Sequence, residues 1–407
     1  MPNIRPFKGV RPANGFADEV YISHENSANV DKARKLLLSN PHTLLHLTHN
    51  DLIMDTKDEA EIQKSCHEAF NRLMSEGVLI QEEKPVLYAY RLSMANHSQT
   101  GLIASIDIRE YIDKKIKKHE LTRSSKARLQ VDILKRVGGI IEPILLAYDS
   151  DELGEHLIEK WTASHDSIYD TLDVGGTRHE IWVIDDPEFM ADLEQKVDAL
   201  SAFYICDGHH RIEAAAEYYL AAENDEEREE RAFSMAAIFP SDEMLILDYN
   251  RAVHDLNGMS EEEFIDTLKA HEFNVEKLGP SAVYPESLGE YTMFMSGTWY
   301  KLSYTGERNH DDPVEALDVS ILQEIVLQEI LGIGDPQHDE RLAFISGTKG
   351  LHALEAAVED GMAVAFALVP PSMTEIMHVC NAGKTMPPKS TCFEPKPAGG
   401  LVVHINE

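Results

Sequence analysis

The sequence predicts a mixed α+β fold, and three observations carry that expectation. Apolar runs of strand length and longer stretches with helical spacing both occur, but they alternate irregularly, without the regular βα succession of a wound sheet or barrel. No internal repeat and no low-complexity tract interrupts them. At 407 residues and 43% hydrophobic residues, the chain is long enough for two or three domains and apolar enough to be globular.

Taken in order, residues 1–85 read as a mostly helical region. Helical spacing covers 28–38 and 58–74, and Asn40-Pro41 breaks the first. From Val86 the pattern changes to strands at 86–92 and 101–108, with a loop at 95–100. A Lys/Arg-rich helix follows at 122–137 and stops at Gly138-Gly139. Strands at 142–148 and 179–184, a helix at 191–200 and strands at 233–239 and 244–247 complete a core region, 86–255. The charge run 224–231 reads as a solvated helix end or loop.

A third region, 256–407, opens with a capping box at Ser260-Glu261-Glu262-Glu263. Strands near 291–295 and 299–302 follow. An amphipathic helix at 319–331 ends at Gly332. A buried strand at 361–368, a short helix at 373–379 and a Pro/Gly/Lys-rich tail close the chain.

Charge and cysteine usage narrow the function classes. The net charge of −34 repels nucleic acid and anionic lipid at long range. No apolar run approaches the roughly 20 residues that cross a bilayer, and the start of the chain has no apolar signal segment. Cys66, Cys206, Cys380 and Cys392 are widely spaced and form no C-x-x-C, so a reduced cytoplasmic protein is expected.

The densest chemistry is Asp207-Gly208-His209-His210-Arg211. It follows the apolar run 202–206 and precedes a helical stretch, 212–220. A strand, a tight turn and a helix start thus meet at a carboxylate, two imidazoles and a guanidinium, which suits a phosphate and its metal. Asp207 can hold Mg2+ or accept a proton, His209 and His210 can donate to phosphoryl oxygens, and Arg211 can grip a phosphate with two N–H groups. Gly208 permits a positive φ or a close ligand. The plainer alternative is a helix start capped by Asp207.

Three further constellations stand beside it. Lys117-Lys118-His119-Glu120-Leu121-Thr122 enters a helix, where Glu120 can serve as a general base or Thr122 as a cap. The tail 383–397 gathers Lys384, Lys389, Lys396 and several hydroxyls among prolines, a stiff loop able to close over a phosphate through Lys389, Ser390 and Thr391. It is not a P-loop, and the plainer alternative is a surface tail. Asp248-Tyr249-Asn250-Arg251 follows a strand and offers a second carboxylate and Arg, or simply a polar strand end. His42, His46 and His49 have helical metal-ligand spacing but lack a complete donor set. The cysteines show no thiolate-activating pattern.

Together, Ile4-Arg5-Pro6-Phe7-Lys8-Gly9-Val10-Arg11-Pro12, Asn40-Pro41-His42, the Lys118–Thr122 segment, Asp207–Arg211 and Met386-Pro387-Pro388-Lys389-Ser390-Thr391 resemble the bacterial domain-of-unknown-function 1015 family over nearly the whole chain. Relatives carry Pro-Tyr-Asp-Val near the start, where this chain has Glu19-Val20-Tyr21-Ile22. More distantly, the turn resembles the Gly-x-x-Arg turn of ParB/sulfiredoxin-like proteins, which implies such a core within 86–255. His209 stands where sulfiredoxins have their catalytic Cys, which argues against sulfinic acid reduction. The free serine kinase branch is similar in its Asp-Gly-His-x-Arg turn, matched by Asp207, His209 and Arg211, and in an upstream catalytic Glu, for which Glu120 is the candidate.

The resulting expectation is a phosphotransferase between a nucleotide and a small hydroxyl metabolite, with free serine as first guess. ADP or ATP with Mg2+ would be the donor. Glu120, Asp207 and His209 would be catalytic, with Asp207 on the metal. Gly208, His210, Arg211, Thr122, Lys389, Ser390 and Thr391 would hold phosphate. A phosphatase or nucleotidase at the same site, and a non-catalytic nucleotide or phosphometabolite sensor, are the alternatives.

Overall fold

The computed structural model describes residues 2–23, 26, 29–122, 124–153, 156 and 158–405, with the backbone alone at 124 and 125. The expected helix start at Ala28 lies outside them, as does Arg123. The fold is α+β. The chain forms two compact units. The first comprises Met1–Lys118, Thr122–Met244 and Pro395–Glu407, and the second comprises His119–Leu121 and Leu245–Glu394. The helical region 1–85 and the core that follows it thus share one unit, and the last thirteen residues return to it.

Among the described residues, nine strands form the main sheet of the first unit: β1 (Ile4–Arg5), β2 (Leu87–Met94), β3 (His97–Asp107), β4 (Ile116–Lys117), β5 (Ile144–Tyr148), β6 (Tyr169–Leu172), β7 (Thr177–Ile184), β8 (Phe203–Asp207) and β9 (Phe233–Pro240). Their spatial order is β4-β8-β5-β9-β3-β2-β7-β6, with β1 also paired to β3. The β8–β4 and β9–β5 pairs are parallel and the others antiparallel.

Alternation explains the sheet's sequence. Leu102, Ala104 and Ile106 on β3, Ile144 and Leu146 on β5, Phe203 and Ile205 on β8, and Ala236 and Ile238 on β9 form one core face. Leu193 and Val197 from helix α1 (Pro187–Asp198) and Ile212 and Ala215 from helix α2 (His209–Leu220) join that core. The intervening residues, among them Tyr88, Tyr90, Leu145, Tyr204 and Met235, are buried too. A sheet covered on both faces reads as continuous apolar runs, which is how these strands look in sequence.

A second apolar cluster ties the N-terminal helices to the rest of the unit. Leu37, Leu44, Leu45 and Leu73 pack with Val137, Ile141 and Val403. Residues 398–405 are stitched into the unit by backbone hydrogen bonds. Ile22 and Gly399 exchange two (2.8 and 2.9 Å), Val10 and Val403 exchange two more (2.9 and 2.8 Å), and His404 pairs with Ile140. No helix among the described residues is long and apolar enough to cross a membrane.

The second unit holds, among the described residues, a six-stranded antiparallel sheet. Its order is Phe273–Gly279, Thr298–Tyr304, Glu290–Met295, Val364–Leu368, Tyr249–Val253, Leu342–Ser346. The capping box at Ser260 and Glu263 forms as expected. The expected helix 319–331 exists, but Asp318–Ile321 is α and Leu322–Ile330 widens to a π-helix before Gly332 ends it at φ 71°. Apolar spacing does not separate the two helix types over so short a span.

His404 is buried, and burial lowers its pKa to about 4. An unfolded chain titrates a histidine near 6.5. Between these values the unfolded state binds the proton more readily, so stability is full above pH 6.5 and falls as pH drops towards 4. The loss expected between pH 7 and pH 5 is about 2 kcal/mol. Urea unfolding at both pH values should show a correspondingly flatter pH dependence for His404→Gln than for the native sequence.

Candidate functional site

β8 ends at Asp207, and α2 begins two residues later. Gly208 makes the junction with φ 91°. The positive φ favours glycine, and a Cβ there would sit 2.9 Å from Nε and Nη2 of Arg211 and push that side chain aside. Gly208 is itself the N-cap, and its carbonyl accepts from Arg211 N (2.9 Å) and Ile212 N (3.1 Å). Asp207 is therefore not the helix cap.

The Asp207 carboxylate instead meets two cations. Oδ2 accepts from Arg211 Nη2 at 2.8 Å, and Oδ1 accepts from Lys396 Nζ at 2.8 Å. Arg211 Nη1 reaches the other way, to Glu142 Oε2 at 2.6 Å. Glu142, Arg211, Asp207 and Lys396 thus form a row of alternating charge, each side chain between 18% and 28% exposed. Partial burial makes these pairs stronger than surface ion pairs. Gly399 makes room for Glu142, since a Cβ there would lie 2.6 Å from its Cγ. His209 is buried (4% exposed) and His210 half-buried, so of the two expected phosphate donors His210 is the accessible one.

Lys396 is placed by the segment behind it. Ala398 N donates to the Tyr90 hydroxyl at 3.1 Å, and that hydroxyl lies 2.7 Å from His179 Nδ1. His179 Nε2 is 3.5 Å from Asp173 Oδ2. Burial pushes the Tyr90 hydroxyl far above its ordinary pKa, which keeps its proton in place. Burial also pushes Asp173 upward, but the hydrogen bonds from His179 and from the Thr177 backbone outweigh it and hold the carboxylate below its usual range.

On α2, Glu213 gathers a second set. Its Oε2 accepts from Tyr111 (2.5 Å), Lys118 (3.0 Å) and Thr122 (3.2 Å), and Lys118 also donates to the Tyr111 oxygen (2.9 Å). Thr122 is occupied with this carboxylate. The three residues between these anchors, His119 to Leu121, belong to the second unit. There His119 Nε2 meets Thr391 Oγ1 at 3.1 Å, and the His119 carbonyl accepts from Met386 N at 2.8 Å. Ser390 is buried and donates to Pro387 O at 2.6 Å, while Lys389 Nζ lies 5.3 Å from the Tyr249 ring centre. The structure therefore brings the Glu120 segment together with the Lys389–Ser390–Thr391 loop, and Asp207 together with Arg211.

The Asp248–Arg251 stretch resolves differently from a sheet-edge site. Arg251 is 1% exposed, lies over the Phe344 ring at 4.6 Å, and donates to the carbonyls of Tyr249 and Pro388. Burial lowers its pKa to about 9. It anchors the 386–391 loop from inside the unit. The cysteines are buried, and burial pushes the Cys66 thiol up to about 11, opposite to an activated nucleophile.

The expected Mg2+ on Asp207 does not fit this donor set. Both oxygens of Asp207 face cations, and no three His, Cys, Asp or Glu side chains converge into a metal cluster among the described residues. Nor do His42, His46 and His49 share a helix. His42 instead lies 2.6 Å from Glu19, and His46 lies 3.0 Å from Asn50.

The family described as "Protein of unknown function (DUF1015)" matches residues 4–320. The chain belongs to that family. No curated protein matches it. Among solved structures it is similar to a free serine kinase in complex with AMP, at 16% identity over 74% of this chain and 92% of that one, with a TM-score of 0.34. It is similar to a conserved hypothetical protein from Pyrococcus furiosus at 13% identity, covering 75% and 97%, TM-score 0.36. A C-terminally truncated SbnI from Staphylococcus aureus is 13% identical, covering 72% and 82%, TM-score 0.35.

Two predictions follow from the geometry of this family member. Gly208→Ala should cost about 1–2 kcal/mol in unfolding free energy, through the positive φ and the crowding of Arg211. Glu213 is drawn upward by burial, but its hydrogen bonds from Tyr111 and Lys118 outweigh this and hold its pKa below the usual range. Its stabilisation is therefore present above about pH 4.3, the ordinary carboxylate value, and lost as pH falls below it. Acid unfolding followed by circular dichroism should show a flatter acid limb for Glu213→Gln.

Proposed function

We propose that this chain is a phosphotransferase that moves a phosphoryl group between a nucleotide and a small hydroxyl compound. The observation that carries the reading is the row Glu142–Arg211–Asp207–Lys396 beside the start of α2. A guanidinium and an ammonium are held by carboxylates next to a helix N-terminus, in a chain whose net charge is −34. Such a pair favours a phosphate locally where the protein as a whole repels one. Because Asp207 and Glu142 already orient the cations, little reorganisation remains when charge develops on a transferred group.

In this proposal Arg211 grips phosphoryl oxygens with its planar fork, Lys396 supplies a point charge, and His210 donates a further hydrogen bond. His209, being buried, supports the turn. Glu120 is the base that takes the acceptor's proton. Its support is the sequence resemblance, in which Glu120, following His119, is the counterpart of the upstream catalytic Glu of the free serine kinase branch. Phosphoryl transfer asks mainly for position and charge, which this set supplies without covalent catalysis. Free serine is the first acceptor to test, and ADP and ATP are the first donors. A ParB/sulfiredoxin-like core is part of the same proposal.

Phosphorus NMR of the protein with ADP or ATP and a pool of hydroxyl metabolites is the direct test. A new phosphate ester resonance is expected, and its absence with every donor overturns the reading. Glu120→Gln should lower turnover by about 100-fold or more while nucleotide affinity is kept. Arg211→Lys should weaken nucleotide binding by about tenfold, through loss of the bidentate grip. A nucleotide sensor would bind as well in Glu120→Gln and show no turnover in either protein.

A further inference from the structure

The first unit contains a cavity of about 710 Å3 that the proposed reaction does not use. That is within the range of roughly 300–1,000 Å3 for small-molecule sites. Phe7 and Phe233 give it aromatic walls. Arg5 lies over the Phe233 ring, 4.5 Å from its centre, and its charge also acts on Glu194, short of a direct ion pair. Lys8 lines the cavity as well.

The other wall is acidic. Helix α3 (Asp225–Glu230) contributes Asp225, Glu226, Glu229 and Glu230. Asp225 pairs with Arg228 and Glu229 with Arg109, whereas Glu226 and Glu230 have no ion-pair partner among the described residues. His404 lines the cavity too. It is 9% exposed, and its Nδ1 has no hydrogen-bond partner among the described residues. Its ring lies against Phe7, 4.9 Å between centres.

A cationic edge, an acidic edge and aromatic walls between them select a ligand by charge and shape. A polyphosphate would face four carboxylates, so the cavity disfavours a nucleotide. A simple cation would meet Arg5 and Lys8. A compound with one carboxylate, one ammonium and an apolar body satisfies both edges. The carboxylate matches the guanidinium fork of Arg5, and the ammonium matches Glu226 and Glu230. The size of the cavity suits more than one amino-acid residue. We propose that this cavity binds a short zwitterionic peptide with apolar side chains, its C-terminus towards Arg5 and Lys8, its N-terminus towards Glu226 and Glu230, and its peptide groups within reach of His404.

Calorimetric titration of the full chain with the dipeptide phenylalanylalanine tests this. One-to-one binding is expected, with affinity reduced about tenfold or more by N-acetylation or by C-terminal amidation, each of which removes one charge–charge contact. Arg5→Gln and Glu230→Gln should each weaken binding by a similar factor, with thermal unfolding confirming that the variants fold. Should Arg5→Gln fail to fold, Glu226→Gln on the exposed helix gives the same comparison. The proposal is overturned if the dipeptide gives no binding heat, if the blocked derivatives bind as tightly as the free one, or if inorganic phosphate displaces the dipeptide. None of these results depends on whether the protein transfers phosphate.

Discussion

Asp207 is held between Arg211 and Lys396, and much of the first unit serves to keep those groups in place. Arg211 is fixed by the turn that Gly208 allows and by Glu142 on its far side. Glu142 in turn depends on the absence of a side chain at Gly399. Lys396 depends on the hydrogen bonds that stitch 398–405 across the unit. Asp207 is the shared member: it accepts from both Arg211 and Lys396, so its removal would loosen both cations at once, whereas Arg211 would keep one carboxylate if Glu142 alone were lost. The row is therefore a single constraint rather than three separate ion pairs.

The same constraint sets what the site can do. Alternating charges in partial burial are electrostatically satisfied without a ligand, so in the proposed reaction the cations are in position before a phosphate arrives. A phosphate that displaces carboxylate oxygens from Arg211 and Lys396 exchanges one set of charge-assisted hydrogen bonds for another. Selectivity then rests on geometry: a planar fork and a point charge beside a helix start fit a tetrahedral anion better than a small spherical one.

Much of this was legible in sequence where the signal is local. Five polar residues between an apolar run and a helical stretch marked the turn, and Ser260 with Glu263 marked a helix start. What was not legible is tertiary. Glu142 lies 69 residues from Arg211, and Lys396 lies 189 residues from Asp207. Glu142 carries no signal beyond being a carboxylate at the start of a predicted strand. Lys396 stood in a tail whose prolines were noticeable, but its neighbours Lys389, Ser390 and Thr391 drew the same attention and sit in the second unit. Arg251 shows the converse: a charged residue after a strand reads as a site, yet its guanidinium is buried on two backbone carbonyls and a phenyl ring. His209 and His210 are adjacent in sequence, but one is buried and the other only half-buried, a difference no local signal marks. The return of residues 395–407 to the first unit has no local signature at all.

That return also relates the turn to the cavity. Asp207 ends β8 opposite Leu145 near the start of β5, and Phe233 opens β9, which runs parallel to β5 and meets Asp107 at the end of β3. The turn and the cavity thus lie at one end of the main sheet, and a single segment carries Lys396 to one and His404 to the other. Between them the backbone is fixed at Ala398, Gly399, Gly400 and Val403. Pro395 and Pro397 flank Lys396 and restrict its backbone further. Movement of Lys396 towards a ligand is therefore confined to its side chain, whose four-carbon stem can re-aim the ammonium without disturbing the strap. A segment pinned at this many points holds the turn and the cavity at a constant separation.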